Sequence, residues 1–173
     1  MTMLGTLDKV DGRWRLRFTR HLRHPPAKVW RALTEPEHLG AWFPAAIEGE
    51  RAAGARLRFA FPDDAAPPTD GEMLAYHPPT LLEFRWGEEL LRFELRPDGD
   101  GTVLTFVNTF DELGKAARDA AGWHTCLDLL ERELGGERPP WAPGERWKEV
   151  HPSYVERFGP EAAPVGPPGQ SRS

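Results

Sequence analysis

The chain is short of cysteine. Cys126 stands alone among 173 residues, so no internal disulfide can form, which fits a reducing compartment. Long apolar runs are missing too. None reaches the roughly 20 residues that cross a bilayer. The opening stretch MTMLGTLDKVDGRW has no apolar segment of the secretory kind. A soluble, cytoplasmic protein without a membrane span is expected. A positive charge excess is also absent. The formal net charge is −5, and the arginines alternate with apolar residues along strands. Nucleic acid is held through many Lys and Arg contacts to phosphate, so it is not an expected partner.

Several chemical motifs are missing as well. No G-x-x-x-x-G-K-[ST], G-x-G-x-x-G or G-x-S-x-G occurs, so nucleotide, dinucleotide and serine-hydrolase chemistry is unsupported. The histidines have no H-x-x-x-H, C-x-x-C or acidic loop beside them. No metal and no cofactor is expected. His124 and Cys126 lie two apart on a helix and point in different directions, so they do not pair as base and nucleophile. Cys126 reads as a small core residue, and His124 as a helix-surface or pocket-edge residue.

What is present is alternation. Thr6–Val10 and Arg13–Arg20 flank Asp11-Gly12, which reads as a hairpin turn. Trp14, Leu16 and Phe18 alternate with Arg13, Arg15 and Arg17. The same period of two recurs around Leu57, Phe59 and Phe61 and around Leu82, Phe84 and Trp86, and Glu72–His77 reads as a strand ended by Pro78-Pro79. The alternation recurs again around Leu91, Phe93 and Leu95, and around Leu104, Phe106, Asn108 and Phe110. Ile47–Glu50 suits a further short strand. Each run has an apolar face and a polar face, the pattern of one antiparallel sheet covered on one side.

Helical spacing appears twice. In HPPAKVWRALTEPEHLGAWFP, prolines open two short helices and Pro44 ends the second. Val29, Trp30 and Leu33 share one face, and Leu39, Trp42 and Phe43 recur at helical spacing in the second helix. From about Leu113 to Leu134, Trp123, Leu127, Leu130 and Leu134 form an apolar stripe that Gly135-Gly136 ends. A last helix is expected over about Glu145–Phe158, and a disordered tail over 161–173.

That order of elements, with HPPAKVWRALTEPEHLGAWF near the start and GWHTCLDLLERELGG near the end, resembles the START-like (helix-grip, SRPBCC) superfamily. Within it, the chain is similar to bacterial proteins grouped with the activator of heat-shock-protein-90 ATPase. The resemblance implies an α+β helix-grip fold in a single domain over 1–160. A curved antiparallel sheet would wrap a long C-terminal helix, and the two short helices would close one end. It also implies an internal cavity, which relatives use for sterols, lipids, plant hormones and polyketides.

The residues expected to line such a cavity are Trp42, Phe43, Phe59, Trp86, Phe93, Phe106, Trp123 and Leu127, with Asn108 as the polar member. The leading reading is a binding module for a small hydrophobic molecule. The alternative is an enzyme, a cyclase, dehydratase or hydrolase, working in the same cavity. No catalytic constellation is evident, so no catalytic residue is assigned; Asn108, His124, Tyr76 and Glu72 are the residues to inspect. Regulation of a chaperone ATPase ranks third, and a chaperone is not the expected partner. Monomer and homodimer both stay open, because Trp141, Trp147, Tyr154 and Phe158 can pack within the chain or on a neighbour.

Overall fold

The computed structural model describes residues 3–165. Strands β1 (Thr6–Val10) and β2 (Arg13–Leu22) form the first hairpin. Asp11 and Gly12 turn it with φ of 50° and 81°, the positive values that a two-residue hairpin loop demands. Two short helices follow, α1 (Pro26–Thr34) and α2 (Pro36–Trp42). Glu35 separates them in extended conformation, with ψ of 130°. The proline after it forbids helical backbone there. The chain then runs through β3 (Ala46–Glu48), β4 (Arg56–Ala60), β5 (Thr69–His77), β6 (Leu81–Trp86), β7 (Glu89–Asp98) and β8 (Gly101–Phe110). The long helix α3 (Ala116–Leu134) starts after a 3-10 turn at Leu113–Lys115, and α4 (Pro143–Phe158) packs against it.

The strands form one antiparallel sheet in the order β1-β2-β8-β7-β6-β5-β4-β3. Each strand after β3 pairs with the next, and β8 closes against β2. Registered rows run across the inner face. Phe18 stands opposite Phe106, and Phe106 opposite Phe93. One row along, Leu16 and Leu91 flank Asn108. The α3 stripe of Trp123, Leu127, Leu130 and Leu134 is buried against this face. The architecture is α+β, the helix-grip arrangement.

The space between sheet and helix is filled by rings. Phe93 stacks on Phe106 with centroids 4.6 Å apart, and Phe106 meets Trp123 at 4.9 Å. Phe59 stacks on Trp86 at 5.0 Å, and Phe43 reaches Trp86 at 5.3 Å. Trp42 abuts Phe93 and donates its indole N–H to Ala32 O at 2.8 Å. Burying each such ring contributes about 1.5–3 kcal/mol. These rings, expected to line an internal cavity, contact one another between sheet and helix.

Three other expectations change. β2 runs on to Leu22, two residues past its expected end, and Arg20, which shares the parity of Leu16 and Phe18, is only 3% exposed. His124, expected at the surface or a pocket edge, is buried at 1% exposure, because it faces α4 and not solvent. The chain from Glu161 to Val165 packs where a tail was expected. Ala162 and Val165 are buried, and the Val165 N–H donates to Gly114 O at 3.2 Å. The rest of that expected tail, 166–173, lies outside the described residues.

Candidate functional site

A cleft of about 770 Å³ opens between the β6–β7 turn and α3. Local sequence explains its walls. Gly87 takes φ of 62°, which lets two residues close the turn and sets Trp86 directly opposite Glu89. Opposed residues share a face of the sheet, so both border the cleft. On the helix side Lys115, Asp119, Gly122, Trp123 and Cys126 line it. That spacing is one helical stripe. A Cβ built on Gly122 would meet nothing within 4 Å, so the glycine leaves space there. Phe61, Pro44 and Thr69 complete the wall.

Trp86 and Trp123 form the apolar floor, edge to face at 6.2 Å. A polar relay rises from it. The Trp123 indole donates to Asn108 Oδ1 at 3.2 Å, and Asn108 Nδ2 donates to Glu89 Oε1 at 3.0 Å. An indole only donates and a carboxylate only accepts, so these partners fix the orientation of the amide. Glu89 Oε2 takes Lys115 Nζ at 2.6 Å, and the same ammonium lies 3.7 Å from Asp119 Oδ2. Arg118 Nε donates to Asp119 Oδ1 at 2.9 Å. Burial pushes the Asp119 carboxyl above the usual carboxylate range, and Glu89 pushes the same way, against Arg118 and Lys115. Burial drives the Cys126 thiol up to about 12, so at neutral pH it is not a thiolate nucleophile.

The residues expected to line a cavity divide. Trp86 and Trp123 wall this cleft, and Phe43 borders a second groove beside α1 and α2. Trp42, Phe59, Phe93, Phe106 and Leu127 border neither and pack in the core. Asn108 is fully buried and satisfied by Trp123, Glu89 and Leu90 O, so it orients the wall of the cleft. Glu89, Lys115 and Asp119 escaped the sequence reading. The i, i+4 pair Lys115–Asp119 was a visible signal; the approach of Glu89 depends on the hairpin.

A second polar cluster lies on the opposite side of α3, and its residues border neither the cleft nor the groove beside α1 and α2. Tyr154 OH accepts the Gly5 N–H at 2.9 Å and lies 2.7 Å from His124 Nδ1. The Asp128 carboxylate, 3.6 Å from Nε2, favours the tautomer with the proton on Nε2, and in that tautomer the phenol donates to Nδ1. Asp128 also takes Arg20 at 2.7 Å and Arg146 at 2.8 Å. Burial lowers His124 to about 4, and Arg20 and Arg146 add to the shift against Asp128. Burial raises Tyr154 to about 12. On the surface of α2, Glu35, Glu37 and His38 bring donor atoms within 4.8 Å of one another. His38 there is engaged by Glu35 and Glu133.

Comparisons with known proteins agree with this architecture. CalU16 from Micromonospora echinospora superposes with a TM-score of 0.70 at 19% identity, over 89% of this chain and 95% of its own. EF2215 from Enterococcus faecalis, a conserved protein of unknown function, gives 0.71 at 23% identity, over 89% and 90%. DynU16, from the dynemicin biosynthetic locus, gives 0.64 at 27% identity, over 74% of this chain and 51% of its own. No curated protein matched. The model of the family described as activator of Hsp90 ATPase homolog 1-like protein matches residues 23–135. That span holds α1, α2, the meander and all of α3, and the chain belongs to this family of START-like, helix-grip proteins.

Proposed function

We propose that the chain binds a small, flat, mostly apolar molecule in the cleft between the β6–β7 turn and α3. One observation carries this reading. Where the interior is filled with rings, Trp86 and Trp123 turn aromatic surface to an open space of about 770 Å³, within the usual range of ligand sites. The polar relay ending at Lys115 and Asp119 gives the cleft an oriented rim. Membership of the family and the biosynthetic locus of DynU16 support a small molecule as the partner. Among the described residues the exposed large apolar side chains are Met3 and Leu74, which offers little to a chaperone-docking role.

The test is a thermal-shift screen of lipids, polyketides and aromatic acids against the wild-type chain and Gly122→Leu. The leucine fills open space in the cleft. A ligand at 100 times its Kd adds about 2.7 kcal/mol, or roughly 5–10 °C for a chain of this size. The reading expects at least one such hit that Gly122→Leu abolishes. A screen without hits, or hits equal in both proteins, contradicts it.

A second reading, catalysis in the same cleft, draws on Asp119. Its raised affinity for a proton suits a general acid beside a bound substrate. In that case Asp119→Asn abolishes turnover of a bound compound and leaves its affinity within a few-fold. Unchanged turnover removes Asp119 from the chemistry.

A further inference from the structure

The second groove, about 890 Å³, lies on the other side of Phe43, between the two short helices and strands β3 to β5. Its apolar wall includes Trp30, Leu39, Phe43 and Ile47, and Tyr76 packs on Trp30 at 5.4 Å. Two arginines border the groove, Arg31 and Arg51, and Arg51 is the half-buried one. Three of its donors reach backbone carbonyls. Nε donates to Thr34 O at 3.0 Å, Nη1 to Gly49 O at 3.0 Å and Nη2 to Ile47 O at 3.1 Å. A guanidinium has five N–H groups, so one remains on each terminal nitrogen.

Among the described residues no carboxylate lies within 4 Å of Arg51, although most other buried or half-buried arginines here have one. Two acids do border the groove, and both are engaged elsewhere. Glu48 pairs with Arg58 at 2.7 Å, and Glu35 lies 3.5 Å from His38. Arg31, also at the groove, likewise has no acid within 4 Å among the described residues. A partly desolvated cation without a counter-charge favours an anion over water. A planar guanidinium with one unused donor on each terminal nitrogen suits a carboxylate, and the aromatic wall selects for an apolar body behind it.

We propose that this groove binds a small organic carboxylate with an apolar body, its carboxylate on Arg51 and its body against Trp30 and Tyr76. The site shares only Phe61 with the lining of the Trp86–Trp123 cleft, has its own cation, and stands whether or not that cleft binds anything. A bracing role for Arg51, holding the Gly49–Ala52 segment to α1, needs no ligand, and the experiment separates the two.

The test is a titration of the full chain, ¹⁵N-labelled, with 4-phenylbutanoate and with its neutral amide, 4-phenylbutanamide, followed on the tryptophan indole N–H signals. The proposal expects the Trp30 signal to move with the acid, the acid to bind at least tenfold more tightly than the amide, and the Trp86 and Trp123 signals to stay in place. In Arg51→Gln that preference disappears, and in Arg51→Lys part of it returns. Equal affinity for acid and amide in the wild-type chain overturns the proposal, as does movement of Trp86 and Trp123 in place of Trp30. That wild-type comparison decides the matter even where Arg51→Gln does not fold.

Discussion

Helix α3 carries a polar network on each of two faces, and the two differ in one respect. Toward the sheet's open end, Asn108, Glu89, Lys115 and Asp119 climb from a buried floor to a rim beside empty space. Toward α4, Arg20, Asp128, His124 and Tyr154 are sealed in, with Arg146 at the edge. Both are built from charged and amide groups on inner positions. The first borders the open cleft, and the second does not line it. On the proposed reading, burial of polar groups alone does not mark the site; burial beside an open aromatic wall does. The closed network acts as a fastener that ties α4 and the N-terminal segment to α3. Gly5 is part of it, since a Cβ there would collide with the Phe18 ring while its N–H holds Tyr154.

Breaking the closed network should produce the largest effect. Asp128→Ala leaves the buried Arg20 with only the more exposed Glu131, 3.4 Å away, and removing one partner of a buried pair costs about 3–5 kcal/mol. Urea denaturation should show a loss of that size, whereas a loss under about 1 kcal/mol would mean that the network is as loose as a surface pair.

Acid should open the same fastener. His124 is neutral in the fold down to about pH 4, and its ordinary value is 6.5. Between those values the unfolded chain binds a proton that the folded chain refuses, so stability falls as pH drops through that window and is full above it. The shift corresponds to about 3 kcal/mol. His124→Gln lacks this titration, and its stability should depend less on pH between 6.5 and 4. Parallel pH profiles for the two proteins would remove His124 as the acid-sensitive group.

The smallest stability effect should lie in the open cleft. Gly122→Ala adds a methyl group that touches nothing and should raise stability by up to about 1 kcal/mol through helix propensity. Destabilisation would show that the helix face is more crowded than the cleft geometry requires.

The fold was legible in the sequence because period two and period 3.6 are local properties. Proline and glycine punctuation located α1, α2 and the first hairpin within a residue or two. Arg20 was legible as well, since it shares parity with Leu16 and Phe18, yet a charged residue at a strand's end reads as a surface residue until Asp128 is found opposite it. The site was less legible. Whether Phe43, Phe59, Phe93 and Phe106 line a cavity or fill it depends on how ring volumes add up in three dimensions, which alternation does not encode. Glu89 reaches Lys115 from 26 residues away because a hairpin turn carries it there. Trp86 and Trp123 were in the expected lining, but nothing local separates them from the rings that pack.

The most direct test of the central claim is the indole region of the ¹⁵N spectrum, recorded while the best compound from the thermal screen is titrated in. The Trp86 and Trp123 signals should shift together and saturate with one Kd, with the Trp14, Trp141 and Trp147 signals unmoved. Saturable binding that leaves Trp86 and Trp123 untouched would contradict the assignment of this cleft as the ligand site.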